Sequence, residues 1–504
     1  MKSIEILSLV AAGVTLIACS SFNETAPKGS TLSAAQVKTA NVVAPSRAEA
    51  TFNGMFTQLG APDQFYSTRA DDFAFIMLML SEDLEGPDAW IGESGYNWFS
   101  ACGDLSPRNA DYANPYIRYA TVYSEIAAAN SVITSYPEDT KEPAAINKIA
   151  QARAIRAYSY LNLAPYFQFK YVGNEEKPCV PIVTEKTTDF TNNPRASVKT
   201  VYEQIISDLN YACDNLDENR TDKSRINKAV ALGLRARAYL NMEEYGKALA
   251  DAQGCIDICT AQGIVPTTPG DYTKPLFYDI NEKNWIWGYD MKTVVAQADP
   301  YCTVTSWLSA FSGDGYAAAC QCIPAINNIL YDKISSTDIR KQWWLSESLH
   351  SDLLEELVWT DSEGNSASGD DIPTFEIKDV KMKFYPYANV KFGSNTIGGT
   401  NNDDDYPFMR IEEMNLIKFE CLAHSDEGEA KSELETFIRT YRDPSYSVPA
   451  TRTLLDEIWF QRRVELWGEG FSMSDIMRLG KPVVRFHDEK NTVYPAAFCF
   501  NIPA

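Results

Sequence analysis

Histidine is almost missing from this chain: among 504 residues there are three, His350, His424 and His487, and none stands beside a cysteine. Cysteine occurs eleven times but never as C-x-x-C, so a zinc site has neither of its usual ligand patterns. H-E-x-x-H, G-x-S-x-G and a glycine-rich phosphate loop are also absent, which removes the ordinary apparatus of zinc peptidases, serine hydrolases and nucleotide-driven enzymes. After residue 18 no apolar run is long enough to cross a bilayer as a helix. Positive charge is scarce as well. The 45 Lys and Arg against 68 Asp and Glu leave a formal net charge of -23, a surface that repels polyphosphate and argues against nucleic acid as a partner. What is present, 45% hydrophobic and 22% charged residues, is ordinary globular material with ample apolar content for a large core.

The N-terminus differs in kind. Lys2 precedes a mostly apolar run from Ile4 to Ala18, too short for a spanning helix, that ends Leu16-Ile17-Ala18-Cys19. Small residues ahead of a cysteine let a signal peptidase reach the bond, and the thiolate can receive a lipid. Residues 1–18 therefore read as a signal peptide and Cys19 as the lipid-attachment site and first mature residue. Glu5 departs from the pattern by placing a charge near the apolar run. Residues 19–47 are polar and rich in Ser, Thr and Gly at their start, the composition of a flexible tether that holds the body off a membrane.

The stretch from Ser224 to Thr260 organises the rest. Ala229, Gly233, Ala236 and Leu240 recur three or four residues apart and set a row of mostly small side chains on one helix face, where a second helix can pack very close. Ala248, Leu249, Ala252, Cys255, Ile256 and Cys259 form the apolar stripe of that second helix, and the short link Glu243–Gly246 makes the two antiparallel. Residues 152–166 (ARAIRAYSYLNLAPY) match residues 231–245 (ALGLRARAYLNMEEY) at eight of fifteen positions, seven identical and one Leu opposite Met, at a constant offset of 79. Helix pairs that repeat with alanines at the crossing resemble tetratricopeptide units. The expected fold is mainly α: a tetratricopeptide-like helical-repeat scaffold with a large loop-rich insertion carrying short strands.

Helical periods also cover Ala48–Leu84, Tyr112–Tyr136 and Ala144–Phe167, and Ser197 reads as the N-cap of VYEQIISDLNYACDNL. Residues 264–406 lose the period, with strand-like segments at Trp285–Tyr289 and Lys381–Tyr387 among Gly, Ser, Asn and Asp runs. Helices return at Arg410–Ala423, Gly428–Tyr441 and Leu454–Glu469. Cys255 and Cys259 fall on a core face, and Cys320-x-Cys322 lacks redox spacing and reads as structural. The run Asn401, Asn402, Asp403, Asp404 and Asp405 offers hard oxygens suited to calcium, although acidic loop runs are most often solvated.

Several segments together resemble the SusD/RagB family of outer-membrane nutrient-binding lipoproteins of Bacteroidetes. They are the lipobox with NETAPKGS, YSEIAAANSVI, RAIRAYSYLNLAPYF, NPRASVKTVYEQIISDL, the central helix pair, YPFMRIEEMNLIKFECL and LLDEIWFQRRVELWGEGFSMSDIMRLGK, in the family's order from residue 16 to residue 481. Arg462, Arg463, Glu465, Leu466, Glu469, Gly470, Asp475 and Arg478 stand at the family's positions, with Gln461 where Glu is usual and Met473 where Trp is frequent. The resemblance implies one SusD-like domain over 48–504, with halves at about 48–263 and 264–504. It also implies a non-enzymatic protein, anchored by lipid in the outer membrane and surface-exposed. Such a protein captures an oligosaccharide and delivers it to a SusC-like TonB-dependent transporter. A RagB-like peptide binder, a protein adaptor or a glycan-active enzyme is the alternative.

Sugars offer C–H faces to aromatic rings and hydroxyls to planar polar groups, so a glycan site needs loop Trp or Tyr beside Asp or Asn. Asp83, Trp90, Tyr96, Asn97 and Trp98 supply this in one segment, and Trp287, Trp307 and Tyr316 in the insertion. Trp285 and Trp287 alternate on one face of a short strand, a pattern that favours the core over ligand contact. Glu465 and Glu469, four residues apart, invite comparison with paired glycosidase carboxylates. Adjacent arginines, with Arg462 three residues from Glu465, are expected to hold both ionised and leave no proton donor.

Overall fold

The computed structural model describes residues 45–494 apart from 66–68, 93–97, 105–107, 169, 293–295, 321, 361–363, 375–383 and 488–489. The signal peptide, Cys19 and most of the tether lie outside the described residues, as do Tyr96 and Asn97. Helices α1 (Pro45–Gln58) and α2 (Ala74–Glu85) lead into α3 (Ala113–Thr134), α4 (Pro143–Phe167), α5 (Val198–Asn215), α6 (Lys228–Asn241) and α7 (Tyr245–Ala261). From α3 to α7 each helix packs on the next in chain order. Ser197 caps α5 by accepting from the Thr200 N–H at 3.2 Å, and Asn227 caps α6 by accepting from Val230 at 3.2 Å.

The 79-residue repeat has a chemical counterpart. Arg156 on α4 closes bidentate on Asp208 of α5 (2.8 and 2.7 Å), and its equivalent Arg235 on α6 closes bidentate on Asp251 of α7 (2.7 Å for both bonds). Each arginine ties the first helix of a pair to the second. A planar fork is suited to that two-point grip. Residues 168–197 lengthen the link in the first pair, whereas α6 and α7 turn within a few residues at Glu243, which takes a left-handed φ of 57°. The small-residue face behaves differently from the expectation. A Cβ on Gly233 would lie 2.5 Å from Met409 Sδ and 3.2 Å from Met414 Sδ, so the glycine makes room for a strand and a later helix, not for α7.

The insertion folds around two strands, β2 (Trp285–Tyr289) and β6 (Tyr406–Arg410), paired antiparallel with Trp285 opposite Arg410 and Tyr289 opposite Tyr406. Every residue of both is buried, and Trp287 packs edge-on against Tyr158 of α4 (5.0 Å) and near Phe408 (4.8 Å). Trp287 is thus a core residue joining the halves, which corrects its candidacy as a ligand contact. One hydrophobic core runs from Phe52 on α1 to Trp467, and a second, smaller one lies under α9 (Ile411–Ala423), α10 (Glu427–Tyr441) and α11 (Leu454–Glu465). Short pairs β1–β3 (Ala89–Trp90, Ala325–Ile326), β4–β5 (Val358–Thr360, Ser366–Ser368) and β7–β8 (Val483–His487, Lys490–Tyr494) complete the described strands. No strand forms at 384–387, the described part of Lys381–Tyr387; two bridges at Ala388 and Asn389 replace it.

A buried ionic network fastens the C-terminal helices to this core. Glu465 meets Arg442 (2.7 Å), Arg410 (3.2 Å) and Arg340 (3.2 Å); Glu469 meets Arg410 (2.7 Å) and Lys391 (2.6 Å); Glu412 meets Arg410 and Arg442 (2.9 and 3.0 Å). With Asp338 on Arg340 at 2.6 Å, four cations face four carboxylates, which meets the condition for burying charge at all. Arg462 does not pair with Glu465 as its spacing suggests: it turns to Asp475 (2.8 Å) on α12 (Ser472–Leu479), while Arg463 takes Asp88.

Candidate functional site

Three of the rings singled out in the sequence converge. Trp307, on the short helix α8 (Val304–Leu308) between α7 and α9 that Thr303 caps, stacks parallel on Tyr316 at 4.3 Å and 6°. Trp98 meets both edge-on, at 6.0 Å from Trp307 and 5.4 Å from Tyr316. Trp98 and Tyr316 are half-buried, but Trp307 is only 1% exposed, donates its Nε1–H to the Ala70 carbonyl at 2.7 Å and receives the edge of Phe99 at 4.8 Å. Trp307 therefore backs the cluster from within. Its Gly- and Ser-rich surroundings suggested an exposed ring, and tertiary packing covers it.

The loop 312–316 holds Tyr316 and Asp314 in place. A Cβ on Gly313 would stand 2.3 Å from the Gly398 carbonyl oxygen, so only glycine lets the Gly313 N–H reach the Gly399 carbonyl at 2.7 Å. Ser312 Oγ accepts from the Gly315 N–H (2.7 Å) and donates to Asn402 Oδ1 (2.6 Å), and Ser306 Oγ accepts from the Tyr316 N–H (3.0 Å). Asn402 Nδ2 lies 3.4 Å from Asp314 Oδ1, and the Tyr301 hydroxyl 3.5 Å from Asp314 Oδ2. Tyr301 is 46% exposed. The result is a platform of partly exposed rings with carboxylate and hydroxyl groups beside it, the arrangement that binds a sugar ring by its face and its hydroxyls. Tyr301 and Asp314 escaped the sequence reading; the signal was the SGDG turn, whose glycines mark close backbone approach.

The other candidates lie elsewhere. Asp83 is buried and accepts from the backbone N–H groups of Gly470 (2.8 Å), Phe471 (3.2 Å) and Ser472 (3.1 Å), so it caps the start of α12 and does not face a ligand. Burial pushes its carboxyl up to about 7 against those three bonds. Trp90 is half-buried on β1, edge-on to Tyr385 at 5.5 Å. The acidic run disperses: Asp404 accepts from Asn395 N–H (2.7 Å), Asp405 from Ile280 (2.9 Å) and Met291 (2.8 Å), and Asn402 donates to the Pro300 carbonyl (2.8 Å). Among the described residues no three His, Cys, Asp or Glu side chains gather as metal ligands.

Glu465 and Glu469 sit inside the ionic network. Burial would raise the Glu465 carboxyl, but Arg442, Arg410 and Arg340 outweigh it and hold it well below the usual carboxylate range. A general acid needs a proton near neutral pH, and this group has none to give. A cleft between α2, α4, α6 and α12, lined by Glu82, Tyr158, Arg237, Glu413 and Arg462, has a water-accessible volume of about 60 Å³, room for a few waters but too little for a sugar chain. Of the nine described cysteines, eight are buried.

Two family models match the chain: "Starch-binding associating with outer membrane" over residues 77–240 and "SusD family" over residues 351–495. A SusD-like protein of Bacteroides ovatus is 35% identical over 123 residues, 23% of this chain and 21% of that one. SusD-like protein P2 of Formosa agariphila is 22% identical over 419 residues, 76% of each chain. The chain thus spans about a fifth of the first relative's length and three quarters of the second's. The crystal structure of a SusD-like carbohydrate binding protein from Bacteroides vulgatus superposes with a TM-score of 0.68 at 22% identity, over 89% of this chain and 88% of that one. The fold is therefore the SusD-like one. Matched by family models over residues 77–240 and 351–495, this chain belongs to the SusD/RagB family.

Proposed function

We propose that this protein is a cell-surface lipoprotein that captures an oligosaccharide on the Trp98–Tyr316 platform and passes it to a SusC-like TonB-dependent transporter, without cleaving it. The observation that carries the reading is the convergence of Trp98 and Tyr316, 5.4 Å apart in space and 218 positions apart in sequence, beside Asp314 and the Tyr301 hydroxyl. A platform of this kind suits a sugar better than a peptide, because rings and acceptors flank it while no groove with free strand edges is needed. The carbohydrate-binding description of the Bacteroides vulgatus protein supports the ligand class, and the outer-membrane wording of the family model supports the place. The burial of Glu465 and Glu469 among Arg442, Arg410, Arg340 and Lys391 supports binding without hydrolysis.

Calorimetry against oligosaccharides that support growth of the source organism tests the reading. Trp98→Ala and Tyr316→Ala should each weaken binding about tenfold, the loss of one aromatic contact of about 1 to 2 kcal/mol, with melting temperature little changed. Trp307→Ala is a poorer probe, because removing a buried ring of this size disturbs packing. Normal affinity in both ring variants would place the site elsewhere. New reducing ends after incubation with the ligand would make the protein an enzyme.

A further inference from the structure

His350 lies between two carboxylates, one at each ring nitrogen: Nδ1 stands 2.8 Å from Asp370 Oδ1 and Nε2 stands 2.9 Å from Asp352 Oδ1. A tight turn presents the ring, since the Ser346 N–H reaches the His350 carbonyl at 2.9 Å and Ser346 Oγ accepts from the His350 N–H at 3.1 Å. Asp352 opens the short 3-10 helix Asp352–Leu354 ahead of β4, and Asp370 lies in the 3-10 helix Gly369–Thr374 that follows β5 directly. The ring thus grips the β4–β5 hairpin at both ends, near the point where the Gly369 N–H reaches the Leu357 carbonyl at 3.2 Å. That hairpin backs the loop of the ring platform. A Cβ on Gly398 would stand 2.5 Å from the Thr360 carbonyl oxygen and 3.0 Å from Trp359 Nε1, and Gly398 is also the residue on which Gly313 closes.

An ionised carboxylate only accepts hydrogen bonds, and a neutral imidazole has one N–H and one bare nitrogen. Both contacts are therefore hydrogen bonds only while the ring carries two protons. With one proton lost, a nitrogen lone pair would face a carboxylate oxygen at under 3 Å, and that arm must let go. We infer that His350 is a proton-operated clasp on the β4–β5 hairpin: the imidazolium fastens both ends, and loss of its proton releases one of them. The bond to Asp370, joined by that to Asp352, outweighs partial burial and raises the ring above the ordinary 6.5. A histidine raised in the fold stabilises fully below its unfolded value and loses that contribution as pH rises through the folded one, so the clasp closes in acid and opens in base. Glu347, Glu355, Glu356 and Asp371 on the neighbouring segments share the sign of the two arms. Of the nearby cations, Arg340 turns inward to Asp338 (2.6 Å) and Lys341 donates to the Ile334 carbonyl (2.8 Å).

Ring titration by NMR and amide hydrogen exchange test the clasp. The chain has three histidines, and His350→Gln assigns the signal of this one by removing it. In the wild-type protein the His350 ring should titrate above the ordinary histidine value, and D370N and D352N should each lower its midpoint, a shift that a merely structural role would not produce. Protection of the Gly369 N–H and of the β4–β5 amides, corrected for intrinsic exchange, should fall about three- to fivefold between about pH 5.5 and about pH 9, the scale expected of partly exposed ion pairs. His350→Gln should show the lower protection at both pH values. A midpoint at or below the ordinary value, or one that neither aspartate variant moves, overturns the inference. An equal fall in protection in the wild type and in His350→Gln overturns it too. Should His350→Gln misfold, the aspartate variants decide, and the absence of any ring signal that moves in both then refutes the clasp.

Discussion

Glu125 is the residue whose burial is hardest to reconcile with stability. It is fully buried on α3, neither carboxyl oxygen has a hydrogen-bond partner, and the Oγ1 of Thr121, one turn earlier, has none. Burial pushes its carboxyl well above the usual range, so the folded protein keeps the proton. A carboxyl raised in the fold contributes fully below its unfolded value near 4.5, and that contribution is lost as pH rises toward the folded value. Glu125→Met should raise stability at pH 8 by about 1–3 kcal/mol and by less at pH 5, in denaturant titrations at both pH values. Equal gains at the two pH values would mean that the carboxyl is not the cause. Gln461 poses the opposite case. Its Oε1 accepts from Arg340 (2.6 Å) while its Nε2 donates to Glu457 (2.8 Å), a pair of roles that an ionised glutamate cannot fill. Gln461→Glu should cost about 1 kcal/mol in thermal unfolding and leave glycan affinity unchanged, since the position is remote in the fold from the ring platform.

Among the elements, α6 decides how the halves meet. Gly233 lets Met409 of β6 and Met414 of α9 press against the helix, and both methionines are buried. Gly233→Leu should lower stability by about 1–3 kcal/mol through overpacking, read as a fall in melting temperature. Because the methionine ends are flexible, Gly233→Ala should cost less than the leucine variant. No loss in either variant would mean that β6 and α9 do not seat on this face. A loss confined to Gly233→Leu fits the observed packing.

For the molecule as a whole, the anchor is the open test. Cys19→Ala should shift the protein from the outer-membrane fraction to the soluble periplasm, because the tether carries no other membrane-binding chemistry; continued lipid labelling would refute the lipobox reading. The sequence by itself determined the helices, the repeat and the family. Helical period, the cap at Ser197 and the recurrence of 152–166 at 231–245 are local signals, written within a few residues of where they act. That Glu465 is held ionised was expected from the arginines beside it, but those arginines do not do it. Which cations do so was a tertiary matter: Arg442, Arg410 and Arg340 arrive from other elements, while Arg462 three residues away turns to Asp475. The ring platform divides the same way. Trp98, Trp307 and Tyr316 stood out by residue type, but whether an aromatic faces solvent depends on what the rest of the chain lays over it. Ala70 and Phe99 cover Trp307, strand pairing covers Trp287, and the start of α12 claims Asp83. Burial is a sum over contacts distant in sequence, and only the folded chain performs that sum.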